Sequence, residues 1–517
     1  MVSRLYTVVL RLIAALLILF ASSSAVALAQ DSTEPTGDIA IALAQDVTTL
    51  DAHNSAFTAD FTILGAFYET LVYYDAEGKP AGLLAESWQT LSETEWEFKL
   101  RQNVTFHNGE PFNAEVVKFN IERYQEPDKG RNPRVGPAIT AVTVVDPYTV
   151  RLTTPKPDPL LLDTLRITMF VPMKYAAEVG DEGLASQPVG TGPFKFVEWA
   201  KTDHLSTEAN PDYWGGAPKV KTLTFRIIPE IATRVSALKA GEVQLVTQLT
   251  PDQIGSLEES DGLDVVSVQA PRVAQVGFNV DAPGGEPLKD ARVRRALAYA
   301  VNAQELIDTI LVGQGTRVAT LAPPNAFGYD ASVEPYPFDP EQAQQLLAEA
   351  GYADGLEFDF AVPTGGSLLK PLEVAQVLAA YWEAVGVKVN IRSLETGTWI
   401  KERDERTISP IFLWNWVGFD LDRMIWANMH SASPWAYNPL PEEQRAEVER
   451  LIDAEASTVD QEKRQEIFTQ LQRILVDEMA TLILYQQNDI YGIDGRLTNV
   501  EISPSGQLRL HAASLAA

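Results

Sequence analysis

The sequence predicts an α/β protein of several lobes with an additional β-rich insertion. Three observations carry that expectation. The chain has 517 residues, more than one hydrophobic core usually serves, so two or three lobes are expected. From Ile231 onward, helical periodicity repeatedly runs up to a glycine and an apolar run follows. Between Glu95 and Leu152 short strands and turns, around a single helix, predominate instead.

Each element has its own signal. Ile39, Ile41 and Leu43 alternate as a first strand does. Asp60 precedes Phe61, Leu64, Phe67 and Leu71, the three-and-four spacing of a buried helix face with Asp as its N-cap. Trp96, Phe98 and Leu100 alternate with charged residues in a half-buried strand. Asn113 is placed to cap a helix from Ala114 to about Tyr124, and Asp146-Pro147 to turn a hairpin between Val142–Val145 and Thr149–Leu152. Helices over 231–240, 291–301, 304–311, 341–350 and 372–385 are followed by Gly241, Gly313, Gly351 and Gly386, residues suited to the left-handed position that closes a helix. Strands are expected at 243–246 and 387–391. Two late helices, 442–457 and 461–475, precede an apolar strand at 482–485.

Composition narrows the class. The chain is 45% hydrophobic and 21% charged, a globular profile, and its formal charge of −29 opposes nucleic acid and anionic lipid as partners. There is no cysteine, so no disulfide, thiol nucleophile or lipid-bearing cysteine is available. Residues 1–29 read as an export signal. Arg4 and Arg11 flank the start, Leu12 to Phe20 is apolar, and Ala27-Leu28-Ala29 is a cleavage sequence before Gln30. The apolar stretch from Val8 is too short for a mature membrane span, which disfavours the alternative of an anchor. Together these features predict an exported, periplasmic protein.

Chemistry-bearing motifs are missing. The histidines His53, His107, His204, His430 and His511 are scattered, and neither H-E-x-x-H nor G-x-S-x-G occurs. Glu357 and Asp359 alternate with Leu356, Phe358 and Phe360, as on the solvated face of a strand. No catalytic residue, metal site or cofactor is expected, and a hydrolase is a distant alternative.

Long stretches resemble the extracellular solute-binding protein family 5, the binding subunits of dipeptide, oligopeptide, nickel and opine ABC importers. They are DVTTLDAHNS (46–55), FYETLVYYDAEGK (67–79) and LLAESWQ (83–89), followed by WEFKLRQNVTFHNGEPFNAEVVKFNIER (96–123). PVGTGPFKFVEW (188–199), NPDYWGGAPKVK (210–221), RVSALKAGEV (234–243), LKDARVRRALAYAVNAQELI (288–307) and GYADG (351–355) continue it in order. The resemblance implies a periplasmic binding protein-like fold, with two α/β lobes joined by a hinge and an additional inserted lobe. Lobe I would be discontinuous (31–73, 188–274 and 483–517), with lobe II at 74–187 and lobe III at 275–482. It also implies a monomer that captures a small, peptide-like solute and docks on an ABC permease and ATPase complex. Opines, glutathione-like peptides, chelated nickel, oligosaccharides and service to a chemoreceptor remain alternatives.

The densest local feature is LWNWVGFDLDRMIW (413–426), continuing to Trp435. Aromatic side chains at this density wall pockets and also fill cores. Trp414 and Trp416 are candidates for ligand contact, and Asp420 or Asp422 for an ammonium partner. The alternatives are that the tryptophans pack a core and the aspartates cap a helix beginning near Met424. Peptide binders of the family place an Asp three residues after the Trp of a Gly-Trp pair. Here Phe419 holds that place, Asp420 follows it, and Asn415 replaces the glycine. Phe57, in a loop the family brings to the cleft, and Arg134, as a partner for a carboxylate, complete the candidate set.

Overall fold

The computed structural model describes residues 35–55, 60–75, 77–126, 132 and 134–516. The predicted export signal and Phe57 lie outside the described residues. An 11-stranded mixed sheet forms the frame. Its main path runs Val387–Leu394, Leu356–Pro363, Ile411–Val417, Leu263–Phe278, Leu482–Asp494, Leu245–Val246, Asp38–Leu43, Thr222–Ile227, His204–Ala209 and Phe194–Ala200. The short strand Gly315–Thr316 pairs beside Leu482–Asp494. A separate four-stranded antiparallel sheet, containing Glu95–Leu100 and Thr149–Thr153, forms the inserted lobe.

Two strands join the halves of the large sheet. Leu263–Phe278 has 16 residues and Leu482–Asp494 has 13, and they pair antiparallel. The C-terminal strand thus runs well past the expected 482–485, because both its ends are paired, one in each lobe. One core collects Ile39, Ile41, Phe61, Leu64, Phe98, Phe170 and Phe225 from lobe I and the inserted lobe. Another collects Val276, Leu297, Phe360, Leu378 and Trp382 in lobe III. A third packs Leu421, Ile425, Leu451, Phe468 and Leu471 between helices.

Most local signals hold. The helix Ala114–Tyr124 is capped by Asn113, whose side chain accepts from the N–H groups of Glu115 and Val116. Gly241, Gly313, Gly351 and Gly386 all have positive φ, from 72° to 93°. His107 is structural, its Nε2 lying 2.9 Å from Gly192 O. The helix expected through Leu71 instead stops at Leu64. Its missing turns are spent elsewhere: Gly192 N–H donates to Phe67 O at 2.8 Å and Phe194 N–H to Ala66 O at 3.0 Å. A helix continuing through Phe67 would compete for those carbonyls.

Candidate functional site

The strand Ile411–Val417 delivers the aromatic segment to the seam between lobes, and the helix Leu421–Met429 follows immediately. Phe412, Trp414 and Trp416 lie on one face of the strand by period-two alternation. Trp414 is only 6% exposed. It packs edge-on against Trp416 at 4.7 Å and Phe412 at 6.0 Å, and against Trp399 at 5.9 Å. The Arg403 guanidinium sits 5.3–5.6 Å from the rings of Trp399, Trp414 and Trp435, a cation–π cluster. Trp416 is half-buried beyond them, and the next residue, Val417, is 48% exposed.

Asp420 and Asp422 occupy distinct places. Asp420 is the N-cap of Leu421–Met429, accepting from Asp422 N–H. Its carboxylate also takes both ends of the Arg464 guanidinium, at 2.6 and 2.8 Å. Asp422 is held more loosely, 3.7 Å from Arg464. The third acid on this arginine is Glu455, 2.9 Å from Arg464 Nε and fully buried. Three acids thus share one cation. Burial, then the Asp420 charge, pushes Asp422 up to about 6. Burial and Asp422 push Glu455 up to about 9.

Across the seam stands the inserted lobe. Its Asp163 carboxylate pairs with Arg166 at 2.7 Å and with Arg423, three residues after Asp420, at 3.3 Å. Phe419 packs on Tyr74 with ring centroids 4.8 Å apart, and Arg166 lies 5.2 and 5.3 Å over those same two rings. Arg134 belongs to this neighbourhood: burial, then the positive charge of Arg423, lowers its pKa. A third contact, Lys370 Nζ to Asp252 Oδ1 at 2.7 Å, ties the start of the helix Pro371–Ala384 to the turn Pro251–Gln253. The structure therefore brings Arg134, Asp420 and Asp422 to one seam, with Trp416 at its edge and Trp414 behind.

Sequence reading missed Arg464, Glu455, Asp163, Arg166 and Tyr74. One of them carried a signal. Arg464 stands at helical spacing with the buried Phe468, Leu471 and Leu475, and an arginine on an apolar helix face implies a buried acid to receive it. Among the described residues no cluster of three or more His, Cys, Asp or Glu is arranged to hold a metal ion. No described helix is long and apolar enough to cross a membrane.

Two α/β lobes joined by a pair of crossing strands, with aromatic and charged residues facing across the seam, define a binding protein that closes on its ligand. The profile of bacterial extracellular solute-binding proteins, family 5 Middle, matches residues 79–438. The chain belongs to that family. The glutathione-binding protein GsiB of Pectobacterium atrosepticum is 30% identical over 408 residues, covering 78% of this chain and 77% of the relative. Heme-binding protein A of Haemophilus influenzae is 28% identical over 462 residues, covering 84% and 83%. The solved structure of HbpA2 from Haemophilus parasuis superposes with a TM-score of 0.82 at 24% identity, over 93% of this chain and all of that one.

Proposed function

We propose that this protein captures a small peptide-like solute between lobes I and III in the periplasm and delivers it to an ABC permease, without chemistry on the solute. The observation that carries the reading is mechanical. Lobes with separate cores are joined through two strands whose pairing is interrupted where they cross. Such a connection lets lobe III swing as a body, and a solute that prefers the closed state drives the swing. The similarity to a glutathione-binding protein supports a peptide-like solute. Within the seam, Trp416, Asp422 and Arg134 are the residues proposed to face the solute, with Phe57 added from the family resemblance alone. Trp414 and Asp420 hold them in place from behind. A solute ammonium would meet Asp422, whose carboxylate is the least engaged of the three around Arg464.

The test is a thermal-shift panel of di- to pentapeptides, glutathione, opines, hemin and nickel with and without histidine, followed by solution scattering. A peptide that raises the unfolding midpoint and reduces the radius of gyration establishes capture with closure. A panel in which only hemin or nickel acts would replace the solute class, and one in which nothing acts would remove it.

A further inference from the structure

The crossing itself contains an arginine that the seam described above does not use. Along the two long strands, Gln269 pairs with Asn488 and Val273 with Gln486, so Ala270, Pro271 and Arg272 bulge opposite the single residue Gln487. A bulge bends its strand and re-aims the side chains it carries. Arg272 is also the register partner of the exposed Val417, and Pro271 O accepts from Gly418 N–H at 2.9 Å. Arg272 thus lies beside the end of the aromatic strand, at the level where the lobes part.

Its guanidinium is held by one edge only. Nη1 donates to Asp489 Oδ1 at 2.6 Å, with the two side chains 18% and 23% exposed. Nε is buried without a partner, and Nη2 makes none of the described hydrogen bonds. The Nε–Nη2 edge is one of the two sides on which a guanidinium offers two parallel N–H groups to one carboxylate. A buried N–H left unpaired is destabilising, so this edge gains from an incoming acceptor. Asp489 fixes the plane in advance, which reduces the ordering needed on binding.

We propose that Arg272 is a specificity-determining residue whose Nε–Nη2 edge receives a carboxylate of the captured solute. This rests on the capture reading above and adds to it the required chemistry, a free acid placed at the crossing of the strands. The solute's carboxylate would then bind on the axis of closure, so that seating it and bending the crossing strands are coupled.

The experiment follows the Arg272 Nε–H resonance in the full chain labelled with 15N-arginine, assigned by its absence from Arg272→Lys, during titration with sodium acetate and with reduced glutathione. Calorimetry on Ala-Ala-Ala and its C-terminal amide accompanies it. The expected result is a saturable movement of that resonance and a preference for the acid over the amide of about tenfold to a hundredfold. Arg272→Lys, which keeps the charge and loses the paired N–H groups, should remove most of that preference. A resonance unmoved by both probes overturns the assignment. If glutathione raises the unfolding midpoint while the resonance stays fixed, capture stands and the role of Arg272 falls. If acetate moves the resonance and no peptide binds, the carboxylate seat stands and the peptide reading falls.

Discussion

Arg464 and Asp420 are joined by two hydrogen bonds of 2.6 and 2.8 Å, a fork-on-fork pair in which the arginine is 3% exposed. The pair fixes the start of the helix Leu421–Met429, because Asp420 is also its N-cap. The acids that follow the aromatic strand are therefore positioned from behind by one arginine. Removing it strands three acids in a buried site. Arg464→Met should lower stability by about 3–5 kcal/mol, the range for breaking a buried ion pair. Asp420→Asn leaves the arginine with two other acids and should cost only about 1–2 kcal/mol. Urea unfolding of both variants measures the difference.

The same cluster sets a pH dependence. Asp422 and Glu455 are raised, to about 6 and about 9, so the folded protein binds their protons more tightly than the unfolded chain does. Their contribution is full below the unfolded carboxyl values near ~4 and declines as pH rises towards the folded ones. Between about pH 6 and 9 the decline belongs to Glu455. Glu455→Gln should flatten the plot of urea midpoint against pH over that window relative to the parent. A parallel plot would mean that the acid is already ionised.

Asp163 makes a contact that does not pass through the two long paired strands. It neutralises Arg166, three residues on, and reaches Arg423 in the helix Leu421–Met429. Arg423 is 35% exposed, so the ion pair itself contributes little once screened by solvent. Removing the acid also leaves the positive charges of Arg134, Arg166 and Arg423 facing one another. Asp163→Asn should therefore shift the ligand-free protein towards more open forms, seen as a larger radius of gyration in solution scattering. The shift should weaken at high salt.

Much of the scaffold was legible because its signals are local. Asn113 and the helix it caps, the glycines that close helices, and the burial of Phe358 and Phe360 between exposed Glu357 and Asp359 all follow from spacing alone. The site was legible as a segment but not as a set of contacts. Asp420 and Arg464 are 44 residues apart, and nothing in either neighbourhood names the other. The same holds for Tyr213 and Trp214. In the structure both donate at 2.8 Å to the buried carboxylate of Glu69. Helix length failed where long-range pairing claimed the backbone, as at Ala66 and Phe67.

Gly190 tests that long-range pairing. A Cβ there would stand 2.0 Å from Phe67 O and 2.8 Å from the Tyr68 ring. The backbone has little freedom to yield, since Gly190 O accepts from His107 N–H at 2.8 Å. Gly190→Ala should cost about 3 kcal/mol through overpacking. Gly216→Ala, at φ 98° with open space around it, should cost nearer ~1 kcal/mol, from backbone conformation alone. Thermal unfolding compares the two.

The two aspartates of the aromatic segment should separate cleanly, because one is structural and the other is proposed to meet the solute. Asp422→Asn removes a carboxylate that lies 3.7 Å from its arginine and caps nothing. At neutral pH it should not lower the unfolding midpoint of the ligand-free protein and should raise it slightly, because burial and the Asp420 charge disfavour an ionised Asp422. For an amine-bearing peptide that binds the parent, it should weaken affinity by at least about tenfold, the loss of one charge-assisted hydrogen bond. Asp420→Asn should show the reverse order, with stability falling first and affinity only through it. Calorimetry on a peptide and its N-acetylated form decides the matter: a parent that favours the free amine and an Asp422→Asn variant that does not would place the ammonium at Asp422. If both proteins bind the two forms alike, the amine lies elsewhere, and Asp422 serves only to balance Arg464.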